Sequence, residues 1–319
     1  MNVSGYGLVA ALCQVALVVV GAPLLTGLMR QVRARMEGRA GAGVGQPWRD
    51  LRKLLRKEPV SAVGTGPAFR VAPLLMVATS ALAAALVPLA ATHPVVRGGS
   101  DLIAVVALLA LGTAALALAG LDTGTAFGGM GASREMTVAA LVEPTILMAV
   151  MALSIPARST DLSAIVSGAA GDPARLAAPA SLLAAVALAV VTLAETGRLP
   201  VDNPATHLEL TMVHEAMVLE YSGRGYALVK WGSWMKLMLL SAIFMNVFVI
   251  PWGLGDATTV VGGVLGTLAM LGKLVICGAV IVVIDSSFAK LRFFRIAEFL
   301  GVAFLLALVG ITTSYVIGA

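Results

Sequence analysis

Long uninterrupted apolar stretches constrain this chain more than any other feature of its sequence. Hydrophobic residues make up 59% of its 319 positions, and charged residues make up only 12%. A soluble domain carries about 25% charged residues. Several stretches exceed the roughly 18 apolar residues that indicate a membrane-spanning helix. We therefore expect an integral membrane protein, and a soluble enzyme is excluded.

Hydropathy predicts an all-α, polytopic membrane protein with about eight transmembrane helices in one integral-membrane domain, residues 1–319. The predicted spans are about 6–28, 68–91, 101–121, 136–156, 175–197, 226–252, 258–285 and 296–317. The first is interpreted as a retained helix, because it lacks the basic n-region of a signal peptide. The glycine-rich run 128–131 is expected to form a flexible turn before the fourth span.

The distribution of lysine and arginine predicts the orientation of the chain. The loop 29–67 holds nine of these residues, and the loops on its side of the membrane hold fifteen. The opposite loops hold Arg97 and Arg158, with Arg175 at the edge of a span. Cytoplasmic loops carry the excess of basic residues. We therefore expect a multi-pass protein of the cell (inner or plasma) membrane, with cytoplasmic basic loops and both termini outside.

A short amphipathic helix is predicted within that first loop, in the run QPWRDLRKLLRKEP. Its apolar residues recur at helical spacing, and Pro59 would end the helix. Its candidate partner-docking residues are Arg49, Arg52, Lys53, Arg56 and Lys57. Such a helix lies on the cytoplasmic membrane surface, where its charge suits an acidic partner or anionic lipid. Alternatively, the charge serves only to set the topology.

Charged residues inside the spans are candidates for function, because they are costly to bury in a bilayer. They are Glu143, Glu195, Lys230, Lys236, Lys273 and Asp285, with Arg134 and Glu135 at the entrance of the fourth span. The outer half of each span is nearly free of charge. This asymmetry predicts a polar pocket that opens to the cytoplasm and leads sideways into a neighbouring subunit. The alternative is that the lysines snorkel and pair with the carboxylates structurally.

The segment 195–224 concentrates acids and imidazoles, which can pass protons by short hops. It contains Glu195, Arg198, Asp202, His207, Glu209, His214, Glu215 and Glu220. The spacing from His214 to the following glutamates does not match a zinc-protease motif, so no metal site is expected. The two cysteines, Cys13 and Cys277, fall in apolar spans and cannot hold a four-cysteine iron–sulfur cluster.

Three motifs in the same order resemble the H subunit of respiratory complex I and its relatives. They are the stretch Arg30–Pro59 with its GR…QPWRDLRKLLRKEP, GGMGASREMTVAALVEP in 128–144, and AETGRLPVDNP followed by HEAMVLEYSG in 194–223. The last motif departs from the complex I pattern, with Val201 in place of an aromatic residue and Asn203 in place of leucine. In this it resembles the membrane subunits of formate hydrogenlyase and other group 4 nickel–iron hydrogenases. The departures put quinone binding in doubt.

The resemblance implies a non-catalytic membrane-anchor and coupling subunit with no cofactor of its own. The implied partners are the hydrogenase large and small subunits, iron–sulfur proteins and antiporter-like membrane subunits. Iron–sulfur clusters and the nickel–iron site would lie in those partners. Membrane lipid is expected as a further partner, and nucleic acid is not.

Together with the density of acids and imidazoles, the resemblance also assigns expected roles. A proton relay is expected of Glu143, Glu195, Asp202, Glu209, Glu215, Glu220, His207 and His214. Charge tuning is expected of Arg134, Glu135, Arg198, Lys236, Lys273 and Asp285. The alternatives are the quinone-binding membrane subunit of complex I, a stand-alone secondary transporter and a purely structural anchor.

Overall fold

The computed structural model describes residues 5–61, 64–90, 100–199, 201–202, 213–255, 260–288, 291 and 293–318. Within these ranges the chain forms helices and no strand, apart from one isolated bridge between Asp101 and Asp161. The helices are α1 (Gly5–Met36), α2 (Gln46–Arg56), α3 (Pro67–Leu86), α4 (Leu102–Asp122), α5 (Ala126–Ala157), α6 (Leu162–Gly171), α7 (Ala174–Ala177), α8 (Pro179–Glu195), α9 (His214–Val218), α10 (Gly223–Phe244), α11 (Val260–Ser287) and α12 (Phe293–Gly318). α10 continues into a π-helical turn, Met245–Val249.

Seven helices of the described chain are long and apolar enough to cross a membrane. They are α1, α3, α4, α5, α10, α11 and α12. The prediction of an all-α, multi-pass membrane protein is therefore confirmed.

The predicted span 175–197 differs from the helices found there. The backbone is extended at Ala178 because the following residue, Pro179, disfavours a helical conformation before it. The stretch is therefore divided into the single turn α7 and the 17-residue α8. A helix of that length spans about 25 Å, slightly less than the hydrocarbon core of a bilayer.

The expected turn at 128–131 is wrong, because these residues lie in the first turns of α5. The side chain of Thr125 caps this helix by accepting a hydrogen bond from the backbone N–H of Gly128, at 3.2 Å. A Cβ added at Gly128 would lie 2.3 Å from a carbonyl oxygen of α4. One added at Gly131 would lie 2.8 Å from the Cβ of Ala216 in α9. The glycines therefore serve close packing of α5 against α4 and α9.

α10 is the most buried of the spanning helices, and it packs against α1, α2, α3 and α11. A second group of contacts joins α3 to α4, α4 to α5, and α5 to both α8 and α12. The amphipathic helix α2 is present, with Leu51 fully buried and Trp48, Leu54 and Leu55 packed against the core. Arg52, with the other basic residues of α2, is exposed. We use "basic end" for the end of the bundle at which α1 ends and α10 begins, beside α2.

Candidate functional site

A polar cavity of about 210 Å³ lies among α1, α4, α5, α8, α9, α10 and α11. Its wall carries acidic and basic side chains in equal number. They are Glu135, Glu195, Asp202, Glu215 and Asp285, and Arg30, Arg33, Arg198, Lys230 and Lys236. The cavity belongs to the basic end, since Arg30 and Arg33 precede the end of α1 by less than two turns. The charged groups of six helices and of the loop after α8 thus meet in one cavity.

Glu195, the last residue of α8, is held by α10 and α4. The Lys236 ammonium donates to Glu195 Oε1 and also to Thr113 Oγ1, at 2.5 Å. The Thr113 hydroxyl donates to the same carboxylate oxygen at 3.2 Å. The Glu195 and Lys236 side chains are only 3% and 11% exposed. This arrangement ties three helices together through one desolvated ion pair.

One face of α10 supplies the polar groups that meet these acids. Lys230, Ser233 and Lys236 recur at intervals of three residues, which places them along one side of the helix. The Lys230 ammonium donates to Glu215 Oε1, and its side chain is 21% exposed. The Ser233 hydroxyl lies 3.3 Å from His214 Nε2. α10 therefore provides a cation for each of two glutamates, with a hydroxyl between them.

His214 connects this face of α10 to α5. Its Nδ1 lies 4.0 Å from Glu135 Oε1, while its Nε2 faces the Ser233 hydroxyl. Burial lowers the pKa of the His214 imidazole, and Lys230 lowers it further against the opposing charge of Glu215. A neutral imidazole has one donating and one accepting nitrogen. The two nitrogens of His214 therefore face an acid on α5 and a hydroxyl on α10, and that hydroxyl also donates to the Val229 carbonyl of its own helix at 2.9 Å.

A second buried ion pair anchors the loop after α8. Arg198 Nη1 lies 3.3 Å from Asp285 Oδ2 on α11, and the backbone N–H of Leu199 donates to Asp285 Oδ1 at 3.2 Å. Burial lowers the pKa of Arg198, and the carboxylate of Asp285 opposes that shift. On the same loop, Asp202 Oδ2 accepts a hydrogen bond from the backbone N–H of His214 at 3.4 Å. These contacts hold the described residues of this loop, 196–199 and 201–202, against α11 and α9.

The structure brings together eight of the fourteen residues that were predicted for proton relay or charge tuning. Those that line the cavity are Glu135, Glu195, Arg198, Asp202, His214, Glu215, Lys236 and Asp285. Their assigned roles remain predictions.

Other predicted residues do not line this cavity. Glu143 is half-buried on α5, close enough to Glu195 and Lys236 to interact with them electrostatically. Arg134 and Glu220 are also half-buried elsewhere, and Lys273 is buried in α11. His207 and Glu209 lie outside the described residues. Arg49, Arg52, Lys53, Arg56 and Lys57 are exposed along α2.

The expected sites omitted several lining residues. Lys230 was among the charged candidates within the spans but was assigned no role, whereas Thr113 and Ser233 carried no sequence signal. Arg30 and Arg33 were counted only toward the orientation. Among the described residues, no group of three or more histidine, cysteine or acidic side chains is placed to hold a metal ion.

Comparison with known proteins identifies the family of this chain. The family model described as NADH dehydrogenase matches residues 8–315. Hydrogenase-4 component C of Escherichia coli (strain K12) is 34% identical over 304 residues, which cover 95% of this chain and 94% of that protein. Formate hydrogenlyase subunit 4 of the same organism is 37% identical over 277 residues, covering 85% of this chain and 87% of that protein.

A solved structure shares the fold. A chain of the membrane-bound sulfane sulfur reductase, an archaeal respiratory membrane complex, superposes with a TM-score of 0.83 at 20% identity. The match covers 97% of this chain and 99% of that one. The chain therefore belongs to the NADH dehydrogenase family, that of the H subunit of respiratory complex I, and is a multi-pass membrane subunit of the complex I-like kind.

Proposed function

We propose that this chain is the membrane-anchor and coupling subunit of a formate hydrogenlyase-like group 4 nickel–iron hydrogenase complex. Two relatives that match most of the chain at 34% and 37% identity are named as hydrogenase-4 and formate hydrogenlyase components. In this role the chain docks a peripheral arm of iron–sulfur proteins and hydrogenase large and small subunits. The iron–sulfur clusters and the nickel–iron site belong to that arm. The proposal assigns neither of them to this chain.

The observation that carries the proposal is the charged cavity at the basic end of the bundle. Protons enter the cavity from the cytoplasm and move from Glu135 to His214 and then to Ser233. Each of these two steps joins polar atoms no more than 4.0 Å apart. The Lys236–Glu195 pair lies further along α10 than Ser233. It takes part in the relay when the hydrogen bond between Lys236 and Glu195 breaks and re-forms. From there the relay leads toward antiporter-like membrane subunits, with Glu143 on α5 as a further step.

The basic residues of α2 and the end of α1 form the docking surface in this proposal. Arg52, Lys53 and Arg56 are exposed on α2, and Lys57 is exposed directly after it, while the apolar side of α2 packs against α10 and α1. An exposed basic face beside the cavity mouth suits an acidic surface on the arm. The basic end then faces the cytoplasm, and both termini face the other side.

The test is to purify the tagged chain in mild detergent with its native partners. Metal content and hydrogen evolution are then measured on the eluate. Nickel, iron and hydrogen evolution support the hydrogenase assignment, and Glu195→Gln should then lower the number of protons moved per hydrogen formed. Arg175→Gln, at the opposite end of the bundle, serves as the control. A nickel-free eluate that carries flavin and oxidises NADH with quinone reduction would instead assign the chain to a true complex I.

A further inference from the structure

Lys273 lies apart from the cavity, near the middle of the 28-residue helix α11. Lys273 is only 5% exposed. Within the described chain it forms no ion pair, and its hydrogen bond goes to the Oδ1 atom of Asn246, at 2.8 Å. Val282, which lines the cavity, follows it by nine residues, or about 14 Å along the helix. A lysine buried at this depth is a functional candidate by default, because its burial is costly.

Asn246 has a backbone setting that differs from the rest of α10. It lies in the π-helical turn Met245–Val249, and π-turns inside helices occur frequently at functional sites. The residue is 1% exposed. Its Nδ2 donates to the carbonyl oxygens of Pro88, at 2.9 Å, and Leu89, at 3.4 Å. Since Nδ2 faces two carbonyl oxygens and, at 3.6 Å, the Met270 sulfur atom, all of them acceptors, the amide orientation is determined, and Oδ1 faces Lys273.

We infer that Asn246 is a positioning residue that holds the Lys273 nitrogen for proton exchange at mid-depth of the bundle. A neutral amide oxygen accepts a hydrogen bond from an ammonium and from a neutral amine alike. A carboxylate in its place would favour the charged form alone. Asn246 therefore keeps Nζ in one place while the ammonium gives one proton to a water molecule and the amine later takes one from another. The inference rests on the proposed coupling function, which it extends beyond the cavity.

The test compares variants of the whole complex in liposomes, with protons moved per hydrogen formed as the readout. We expect Asn246→Leu and Lys273→Met each to lower this ratio at least fivefold while hydrogen evolution continues. The double variant should lower it no further, since both changes disable the same nitrogen. If Asn246 only ties down the loop at Pro88, the two losses will multiply, and the inference is overturned. Thr267→Val is the control, because that hydroxyl donates only within α11, to Gly263 at 2.8 Å.

A second variant covers the case in which Asn246→Leu does not assemble. Asn246→Asp keeps an acceptor for Lys273 but adds a charge that retains the ammonium form. We expect it to evolve hydrogen with the same fivefold loss of proton movement, and wild-type proton movement would overturn the inference. A wild-type complex that evolves hydrogen without moving protons would overturn the proposed function itself. Unchanged proton movement in the Asn246 variants overturns only the positioning role.

Discussion

Glu195 shows how single residues of the cavity depend on one another. Its carboxylate is nearly inaccessible, and its partners are the Lys236 ammonium and the Thr113 hydroxyl. The attraction within a buried ion pair is strong, but each ion has given up its hydration to form it. Each ion of such a pair therefore depends on the other, because either ion alone is more costly to bury than the two together.

Lys236→Met should destabilise the protein by about 3–5 kcal/mol, because it leaves Glu195 buried without a cation. The double variant Lys236→Met/Glu195→Gln should recover much of that loss, since the unpaired charge is then removed. Thermal unfolding in detergent measures both. Lys53→Met, on the exposed face of α2, is the matched control and should change stability by at most about 0.5 kcal/mol. A single Lys236 variant as stable as this control would show that the pair contributes nothing.

His214 should make stability depend on pH below neutrality. Burial lowers its pKa in the folded state, whereas the unfolded value is about 6.5. The unfolded chain therefore binds the proton first, so this contribution is fully present above about pH 6.5 and is lost as the pH falls through the folded pKa. The slope reaches at most about 1.4 kcal/mol per pH unit. Melting curves between pH 7.5 and 5 should fall more steeply for the wild type than for His214→Gln, and parallel curves would contradict this prediction.

The charged residues of the cavity could be predicted from the sequence, whereas the residues that contribute hydroxyl groups could not. Glu195, Lys236 and Asp285 were recognisable because an ionisable group within an apolar span is costly and rare. Thr113 and Ser233 were not, since most helical hydroxyls bond to their own backbone. Thr137, for example, donates to a carbonyl of its own helix at 2.9 Å. Only the meeting of α4, α8 and α10 turns Thr113 into a ligand of Glu195, and one sequence does not show which helices meet.

At the level of helices, prolines leave backbone carbonyls free to accept hydrogen bonds from other segments of the chain. Proline has no N–H, so the carbonyl four residues before it lacks its helical donor. Pro73 frees the carbonyl of Phe69, and the Tyr221 hydroxyl donates to it at 2.7 Å. In α5, Pro156 likewise frees the carbonyl of Ala152.

The same pairing recurs in two other helices. Ser314 of α12 donates to the Ala152 carbonyl at 2.7 Å. In α1, Pro23 frees the carbonyl of Val19, and Trp231 Nε1 donates to it at 2.9 Å. Each of these three prolines thus allows a specific hydrogen bond between its helix and another segment of the chain, which matters in a bilayer because an unsatisfied backbone carbonyl is costly there.

Tyr221→Phe should therefore cost about 1–3 kcal/mol, because it leaves the Phe69 carbonyl unpaired while keeping the ring stacked on Phe69. In a Pro73→Ala background the restored backbone N–H donates to that carbonyl. The loss from Tyr221→Phe should then fall to less than half. Unfolding of the two single variants and the double variant in detergent measures this difference. Equal losses in both backgrounds would refute the pairing, and Tyr315→Phe, on an exposed face of α12, is the control.

The helices were more predictable than their ends. Apolar stretches identify α3, α4, α11, α12 and α10 with its π-helical turn to within about five residues at each end, because spanning a bilayer requires length and hydropathy above all. α1 extends eight residues beyond its predicted end at 28, to Met36. The start of α5 was missed by ten residues, since glycines at 128–131 indicate a turn when their packing partners are unknown. The partners of the helix prolines were equally hidden. They belong to segments far away in the sequence.

On the scale of the whole molecule, charge and apolar surface are separated. The cavity and the exposed face of α2 share the basic end, whereas α11 and α12 expose rows of large apolar side chains along their lengths. α5 begins beside α4 at the basic end, so Arg158, which follows its last residue, marks the opposite end. This polarity separates a surface suited to a water-soluble partner from sides suited to lipid or membrane subunits.

If α2 is a docking surface, charge reversal should weaken binding of the peripheral arm at the basic end of the molecule but not at the opposite end. Arg52 and Arg56 lie one turn apart on the exposed face, so reversing both to glutamate places two like charges against an acidic partner surface. Two reversed contacts cost on the order of 1.4 kcal/mol, which is a tenfold loss of affinity. Co-purification of the peripheral arm should fall accordingly, with the deficit shrinking at high salt.

The matched control reverses Arg158 and Arg175, which are exposed and change the net charge by the same amount. It should leave the arm bound, because those residues lie away from the basic end. Equal losses from both pairs would mean that net charge or folding is responsible, and no loss from Arg52 and Arg56 would remove α2 from the docking surface. α2 packs on α10, and Lys236 and Lys230 of α10 bind Glu195 and Glu215. If weaker docking also lowers the number of protons moved per hydrogen formed, the docking surface and the cavity are therefore linked.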